Sequence, residues 1–407
     1  MTLETCTIDA DRLNFELAEI GKIGLGDEGG YYREAFSQAD MDGRVLVEGF
    51  MAEAGMSVSR DAALNSVGRY EGQDASLPPI VIGSHTDTVP CGGNYDGVLG
   101  VLSGIALVRA LFQSGVRLRH SIEIINFSGE EAVAPGGTFG SRDLTSHFDE
   151  ELLDQTVYTG ETFRNLLEKV GVNIETLSAA ERQQGSVAAY VELHIEQGGI
   201  LDEKNISVGV VNGIVGFRRY RLVFPGAANH AGTTPMDKRD DALIKAARFT
   251  LGVKETAEKY GIVGTVGTLE VSPGAPNVIP GSVEITFEMR GLEDSVIDTA
   301  QKELKALSDE LKATFDEYSH KPPVISSEGI VGALEAGCRM AELDYIVMPS
   351  GAGHDANLMA LICPIGMLFV PNRDGISHSK DEYTTPEACL NGAKALLHGI
   401  IELDKQI

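Results

Sequence analysis

The hydrophobic pattern of the first part of the chain predicts short buried strands that alternate with helices. Residues 80–83 form a continuous apolar run typical of a buried strand, and residues 121–127 have the pattern of the next strand. Between them, residues 97–114 carry apolar side chains at helical spacing. This order of strand, helix and strand is typical of an α/β sheet with helices on its faces.

The pattern changes between about residues 216 and 323, where apolar and polar positions alternate more regularly. The predicted strands of this region are 217–224, 263–271, 282–290 and 323–325, and the predicted helices are 240–260 and 295–318. Their β-α-β-β-α-β order is that of the ferredoxin-like split unit. We therefore expect an α/β domain built from residues 1–215 and 328–407, with a ferredoxin-like module inserted at residues 216–327.

The net charge of the chain and the length of its apolar stretches argue against two classes of partner. The 407 residues include 33 Lys and Arg against 60 Asp and Glu, which gives a formal net charge of −27. Such a field repels phosphate backbones, so we do not expect nucleic-acid binding. No stretch approaches the roughly 18 apolar residues that a membrane span needs, so we expect no membrane insertion.

The cysteines and the first residues favour a cytoplasmic protein. The five cysteines are scattered, odd in number and without Cys-x-x-Cys spacing, which argues against disulfides and against a thiolate zinc site. No basic segment followed by an apolar run opens the sequence, so we do not expect a signal peptide.

Side chains that bind metals occur in four separated segments, each close to a predicted strand end. These segments contain His85 with Asp87 and Asp96, the pair Glu130-Glu131, His194, and His378. Imidazoles and carboxylates without thiolates suit zinc, manganese, cobalt or nickel with open coordination positions. Each segment alone has a simpler interpretation as a solvated pair or a charged surface. Their common placement at the strand ends of one sheet predicts a metal site.

The adjacent glutamates allow a division of roles. Side chains of neighbouring residues diverge, so one carboxylate can bind metal while the other holds an attacking water. The spacing of His85 and Asp87 is that of a carboxylate that fixes the tautomer of a ligating histidine.

Further candidate residues lie in the inserted region and after it. His230 stands in a loop of small residues, and Asn277 precedes the strand whose polar face ends with Arg290. An arginine there could clamp a substrate carboxylate bidentately, or it could pair with a nearby acid. His354 and Asp355 could form part of a site or only a helix N-cap.

These segments together resemble the amidase, hydantoinase and carbamoylase family of dinuclear metal hydrolases. The family contains allantoate amidohydrolase, N-carbamoyl-L-amino-acid hydrolase and β-ureidopropionase, and it belongs to the wider aminoacylase and carboxypeptidase superfamily. The likeness runs from about residue 80 to residue 385. It is strongest in GSHTDTV, GGNYDG, VELHIEQG, NHAGTTPM, NVIPG and SGAGHDAN. HIEQG is informative, because peptidase relatives commonly have an acid where this chain has His194.

The resemblance implies a metallopeptidase-like mixed-sheet catalytic domain with two divalent metal ions per subunit, zinc or manganese, with cobalt or nickel as alternatives. Asp96 would bridge the two ions. His85 and His194 would complete the site of one ion, and Glu131 and His378 that of the other.

The resemblance also implies the catalytic roles and a homodimer. Glu130 matches the general base, and Asp87 matches the residue that supports His85. His230 matches a residue that reaches the active site of the neighbouring subunit and polarises the scissile carbonyl. The inserted region would then serve as lid and dimerisation domain.

Four residues match positions that contact substrate in the family. Asn277 and Arg290 correspond to residues that bind the substrate carboxylate, and Gln197 and His354 to residues that line the site. The chain departs from the family at Ala132-Val133-Ala134-Pro135, where relatives usually place an arginine. This departure bears on the choice of substrate.

We therefore expect hydrolysis of the C–N bond of a linear ureido compound that carries a carboxylate, an N-carbamoyl-L-amino acid or allantoate. The products would include ammonia and carbon dioxide. One alternative is an N-acyl-amino-acid deacylase or dipeptidase of the same superfamily. The other is a metal-binding module without catalytic activity.

Overall fold

The computed structural model describes residues 6–131 and 134–407. Within these residues the chain divides into two compact units. The first unit comprises the residues up to Asn212 together with residues 326–407, and the second unit comprises residues 213–325. No helix of the described part of the chain is long and apolar enough to cross a membrane.

The strands are named in chain order. They are β1 (Ser57–Arg60), β2 (Ser66–Tyr70), β3 (Ile80–His85), β4 (Ile122–Phe127), β5 (Ala189–Ile195), β6 (Val208–Ile214), β7 (Gly216–Pro225), β8 (Val263–Ser272), β9 (Ser282–Gly291), β10 (Asp316–Lys321), β11 (Val324–Ile325), β12 (Tyr345–Ser350) and β13 (Ile365–Val370).

The α-helices are named in the same way. They are α1 (Ala10–Ile20), α2 (Gln38–Glu53), α3 (Val98–Gln113), α4 (Phe139–Leu144), α5 (Phe163–Lys169), α6 (Ile200–Lys204), α7 (Ala242–Tyr260), α8 (Asp294–Glu310), α9 (Glu328–Met340), α10 (Ala356–Met359) and α11 (Pro386–Gln406).

The first unit is built on a mixed sheet, which confirms the predicted α/β class. Its strand order is β1-β2-β4-β3-β5-β13-β6, and β12 also pairs with β6. The central strands β4, β3, β5 and β13 run parallel, whereas β2 and β6 pair antiparallel with their neighbours. The parallel strands are buried along their whole length, as expected for a sheet covered on both faces. Their carboxyl ends share one edge of the sheet.

Helix α3 packs in the core beside the sheet edge that the carboxyl ends of the parallel strands form. Its sequence is apolar almost without interruption, and its residues are buried from Val98 to Leu111. A helix that is apolar on every face is stable only when other elements surround it. α3 therefore belongs to the same apolar core as strand residues such as Ile82 and Leu193. The loop that precedes it is anchored at the sheet edge.

The second unit has the order β7-α7-β8-β9-α8-β10, and its antiparallel sheet has the strand order β10-β7-β9-β8. Burial alternates strictly along β9, because one face packs against the helices and the other does not. At the centre of this core Tyr220 stacks on Phe287, and Phe249 packs edge-on against Phe287.

One sequence prediction in this region is wrong. The helix predicted over 295–318 ends at Glu310, and residues 316–321 form β10 instead. Lys312 adopts the left-handed conformation with φ 60°, which terminates the helix. β10 is mostly exposed and lacks apolar alternation, so its sequence gave no strand signal. The run predicted as the last strand of the module, β11, pairs with residues Gly213 and Ile214 of β6.

Candidate metal centre

Four of the predicted site residues lie at the carboxyl ends of neighbouring parallel strands. His85 is the last residue of β3, His194 is the penultimate residue of β5, and Glu130 and Glu131 follow β4. In an open α/β sheet this edge is where ligands bind, because the strand ends leave room for loops and polar side chains.

The carboxylate of Asp96 lies at the centre of the group. Its Oδ1 atom is 3.0 Å from Nε2 of His194 and 3.5 Å from Nε2 of His85. Its Oδ2 atom is 3.5 Å from Nε2 of His378, and that nitrogen is 3.3 Å from Oε1 of Glu131. The structure thus brings together all five residues that the sequence predicts as ligands.

These five residues form two candidate cation sites with one member in common. His85, Asp96 and His194 place one ligand atom each within 4.8 Å of one another, and so do Asp96, Glu131 and His378. Asp96 belongs to both groups. Its two oxygens face different partners, which is the arrangement that a bridging carboxylate requires.

Both buried imidazoles are oriented by main-chain carbonyls. Nδ1 of His85 lies 3.0 Å from the carbonyl oxygen of Asp87, and Nδ1 of His194 lies 2.9 Å from that of Ile195. A carbonyl only accepts, so Nδ1 carries the hydrogen in each ring. Nε2 is thereby directed at Asp96, in the orientation of a metal-ligating histidine.

The carboxylate of Asp87 has a different contact from the one that the sequence suggests. Its nearest oxygen is 3.7 Å from Nδ1 of His85, farther than the carbonyl oxygen of the same residue. It accepts hydrogen bonds from the backbone N–H groups of Glu130 at 3.3 Å and Glu131 at 3.1 Å. Asp87 therefore orders the glutamate pair through its side chain and His85 through its main chain.

The position after Asp96 requires glycine. Gly97 has φ 66°, and a Cβ atom there would lie 2.5 Å from the imidazole ring of His85. Any other residue would force the ring away from Asp96, since this contact involves a buried side chain.

The site contains more buried acid than buried base, and the pKa values reflect this. Burial, reinforced by Asp96, raises the pKa of Glu131 to about 8. Burial also raises the pKa of Glu130 well above its usual range, against the opposing effect of His85. For Asp96, burial alone would raise the pKa, but His194 and His85 lower it well below its usual range.

This donor set fits divalent cations. Carboxylates are costly to bury as anions unless a cation or several hydrogen bonds balance them. Divalent ions compete with protons for the same oxygens and nitrogens, and oxygen and imidazole donors suit zinc and manganese. The residues at this edge could therefore hold metal ions.

Gln197 and His354 also lie in this region, with contacts of their own. The side-chain amide of Gln197 donates to Oδ2 of Asp96 at 2.8 Å. His354 is buried, its ring stacks edge-on against His194 with centroids 4.7 Å apart, and its Nε2 lies 2.8 Å from the hydroxyl of Ser350.

The remaining predicted residues belong to the second unit. The N–H of Ala231 donates to the carbonyl of Asn277 at 2.9 Å, so the loops that carry His230 and Asn277 lie together. Arg290 forms an ion pair with Glu288, and its guanidinium lies over the ring of Phe217, 5.6 Å from the centroid.

Sequence reasoning gave no role to two buried acids. Glu382 accepts the N–H groups of Tyr95 at 2.9 Å and Asp96 at 3.0 Å. Glu192 accepts the hydroxyls of Ser84 and Tyr190, at 2.9 and 3.0 Å, and the N–H of Ala356 at 3.1 Å. A signal existed, because each acid lies within four residues of a histidine of the site.

Part of the segment that departs from the family pattern, Ala132-Val133, lies outside the described residues. Ala134 is buried, and its N–H donates to the carbonyl of Glu131 at 3.1 Å.

The fold and site together define a class of α/β protein with a carboxylate- and histidine-rich candidate cation site at the carboxyl edge of its sheet. Residues 81–402 match the peptidase family M20/M25/M40. The chain belongs to this family.

Similar proteins extend over the whole chain. An N-carbamoyl-L-amino acid amidohydrolase of Geobacillus stearothermophilus is 38% identical over 97% of this chain and 99% of its own length. A ureidoglycolate hydrolase of Oryza sativa subsp. japonica is 32% identical over 98% of this chain and 86% of its own. The crystal structure of a putative amidohydrolase/peptidase from Burkholderia cenocepacia superposes with a TM-score of 0.92 at 33% identity, covering 98% of this chain and 100% of its own.

Proposed function

We propose that this chain is a metal-dependent amidohydrolase that cleaves the C–N bond of a linear ureido compound and releases ammonia and carbon dioxide. The substrate class is an N-carbamoyl-L-amino acid, with allantoate as the second candidate. The observation that carries the proposal is the convergence of His85, His194, Glu131 and His378 on Asp96. The name of the 38% identical relative supports the ureido substrate.

Two divalent ions, zinc or manganese, fit the ligand groups. His85 and His194 would hold one ion, and Glu131 and His378 would hold the other. Asp96 would contribute to both sites. When bound, such ions polarise a carbonyl group and lower the pKa of water.

The residues of the chain supply the proton transfers and the orientation. Glu130 stands beside the ligands, with its carboxylate 3.8 Å from Nε2 of His85, and its N–H is fixed by Asp87. We assign to it the removal of a proton from the attacking water and the return of that proton to the leaving nitrogen.

We assign substrate binding to five further residues. Arg290 and Asn277 would orient the substrate carboxylate, and His230 would stabilise negative charge on the carbonyl oxygen, as donors in such positions do. Gln197 and His354 would line the site.

The second unit is proposed to act as a ferredoxin-like lid and dimerisation domain. Its strand order supports this fold, and β8 is an edge strand whose Val263 and Leu269 are exposed. The neighbouring helix α7 exposes Ile244 and Leu251. An open apolar edge of this kind suits pairing with the same edge of a second copy in a homodimer.

A cytoplasmic location is part of the proposal. Among the described residues no cysteine forms a disulfide, and four of the five thiols are buried. Reduced cysteines are the rule in a reducing compartment.

The proposal is tested by hydrolysis of a panel of substrates, measured as ammonia release for the ureido compounds and as release of free amino acid for the others. The panel contains N-carbamoyl-L-amino acids, β-ureidopropionate, allantoate, ureidoglycolate, an N-acetyl amino acid and a dipeptide. Each is assayed with chelator, and after addition of manganese or zinc. Ammonia from a ureido substrate that stops with chelator and returns with metal supports the proposal. Cleavage of only the N-acetyl amino acid or the dipeptide would favour the deacylase or dipeptidase alternative, and no cleavage would favour the metal-binding module.

A further inference from the structure

Two arginines are completely buried behind the carboxyl ends of β3 and β4. Arg33 and Arg44 have no exposed surface, which is rare for this residue type unless it serves a buried partner. Both precede the segment that matches the family, residues 81–402. Neither takes part in the chemistry described above.

Arg33 holds the main chain between two site residues. Its Nε donates to the carbonyl of Thr86 at 2.6 Å, and its Nη1 donates to that of Ile23 at 2.8 Å. Its own N–H donates to the hydroxyl of Thr88 at 3.1 Å, and its carbonyl accepts the N–H of Thr88 at 3.0 Å. Arg33 is therefore hydrogen-bonded to Thr86 and to Thr88, the two residues that flank Asp87 in the chain.

Arg44 holds the adjacent strand in the same manner. Its Nη2 donates to the carbonyl of Phe127 at 2.8 Å, and its Nη1 donates to that of Asn126 at 3.2 Å. These are the last residues of β4, directly before the turn to the glutamate pair. Without the arginine, these carbonyls would lose a charge-assisted hydrogen bond in a buried position.

The two arginines also leave a net positive charge in the interior. Arg44 forms a 3.0 Å ion pair with Asp40. The carboxylate of Asp40 also interacts electrostatically with Arg33. Burial lowers the pKa of Arg33 to about 10, with Asp40 and Asp87 opposing the shift, so the group stays protonated at neutral pH. Two guanidinium groups and one carboxylate leave one positive charge, and the site carboxylate Asp87 interacts electrostatically with Arg33.

We propose that Arg33 and Arg44 are positioning residues that hold the carboxyl ends of β3 and β4 in the register that the metal ligands require. Arg33 acts on His85 and Asp87 through Thr86 and Thr88. Arg44 acts on the glutamate pair through the end of β4. The inference rests on the proposed metal site, and it assigns a function to the segment before residue 81.

Metal affinity separates positioning from simple stabilisation. We would prepare metal-free protein and measure Mn²⁺ binding by titration calorimetry for Arg33→Met and Arg44→Met, together with thermal melting. The expected result is binding weakened by about tenfold or more, as for groups that orient metal ligands elsewhere. The control is Arg109→Met, because Arg109 is buried and pairs with Glu16 of α1 rather than with the ends of β3 or β4. It should melt at a lower temperature and bind Mn²⁺ with wild-type affinity.

A milder variant covers the case in which an arginine variant fails to fold. Thr88→Val keeps the shape of the side chain and removes the hydroxyl that accepts the hydrogen bond from the backbone N–H of Arg33. We expect Mn²⁺ binding severalfold weaker than in Thr256→Val, a buried threonine of the second unit. Wild-type affinity in Thr88→Val and in every arginine variant that folds would overturn the inference.

The outcomes keep this inference apart from the proposed function. If the wild type binds Mn²⁺, the variants bind it weakly and no substrate of the panel is cleaved, the positioning role stands and the hydrolase proposal fails. If the wild type cleaves a ureido substrate and all variants bind Mn²⁺ normally, the positioning role alone fails. If the wild type binds no cation, both are overturned.

Discussion

Glu382 lies directly against Gly93, so that a Cβ atom on Gly93 would overlap the carboxylate of Glu382. The same carboxylate accepts the N–H groups of Tyr95 and Asp96. The close approach therefore fixes the loop that presents Asp96, across 286 residues of sequence. Burial, with Asp96 adding to it, raises the pKa of Glu382 to about 7.

Gly93→Ala is predicted to weaken metal binding. The added methyl group must displace Glu382, and the Asp96 loop loses two hydrogen bonds to a buried acid. We expect Mn²⁺ affinity to fall by about tenfold, measured by calorimetry on metal-free protein. Gly49→Ala is the control, because nothing lies within 4 Å of a Cβ at that exposed helical position. Equal affinities in the two variants would show that the contact does not position Asp96.

The sequence predicted the side chains that gather around Asp96 better than it predicted the residues that hold them in place. His85, Asp96 and His194 stand in recognisable motifs beside apolar runs, so both their chemistry and their strand-end placement could be predicted. Arg33 could not be found in this way, because it contacts Thr86 from 53 residues away through main-chain carbonyls. A carbonyl contact leaves no pattern of residue types in the sequence.

Asp87 shows a second limit of sequence reasoning. Its spacing from His85 predicts a contact between the two residues, but spacing does not distinguish a side-chain contact from a main-chain contact. In the structure the carbonyl faces the imidazole, and the carboxylate binds the backbone of Glu130 and Glu131. That long-range contact depends on the pairing of β3 with β4, which local pattern does not specify.

Glu130→Gln is predicted to abolish hydrolysis while metal binding is retained. The amide keeps the shape of the side chain but cannot accept and return a proton, a function typically worth about 10²–10⁴-fold in rate. The measurement is kcat for ammonia release beside the Mn²⁺ affinity of the same preparation. Asp96→Asn is the contrasting variant, because it should lose affinity as well as rate. A Glu130→Gln enzyme with more than a tenth of wild-type kcat would contradict the assigned role.

Mixing two inactive variants tests whether the active site is shared between subunits. His230 lies in the second unit and Glu130 in the first, and the proposed homodimer lets His230 serve the neighbouring subunit. His230→Ala and Glu130→Gln should each be inactive alone. After subunit exchange, mixed dimers hold one site with both residues intact, so about a quarter of wild-type activity should return at equal amounts under random pairing. No recovery, with exchange verified by tagged subunits, would place both residues in one subunit's site.

Asp143 is predicted to make stability depend on pH outside the metal centre. It is buried, and its Oδ2 has no hydrogen-bond partner among the described residues. Burial, with Asp61 and Glu181 adding to it, raises the pKa of Asp143 to about 7 from 3.8. An acid with a raised pKa binds its proton more tightly in the folded state than in the unfolded state. Its contribution to the free energy of unfolding is therefore complete below about pH 4. It is lost as pH rises towards 7.

Asp143→Asn should therefore gain stability relative to the wild type as pH increases. The amide needs no proton to stay neutral, so the melting temperature of the variant should exceed that of the wild type at pH 8. At pH 5 the difference should be smaller or reversed. Thermal melts at both values, in chelator so that metal binding does not contribute, measure the effect, with Asp27→Asn as the exposed control. A difference between Asp143→Asn and wild type that stays constant from pH 5 to pH 8 would show that Asp143 is ionised across this range, and hence that its surroundings stabilise the anion.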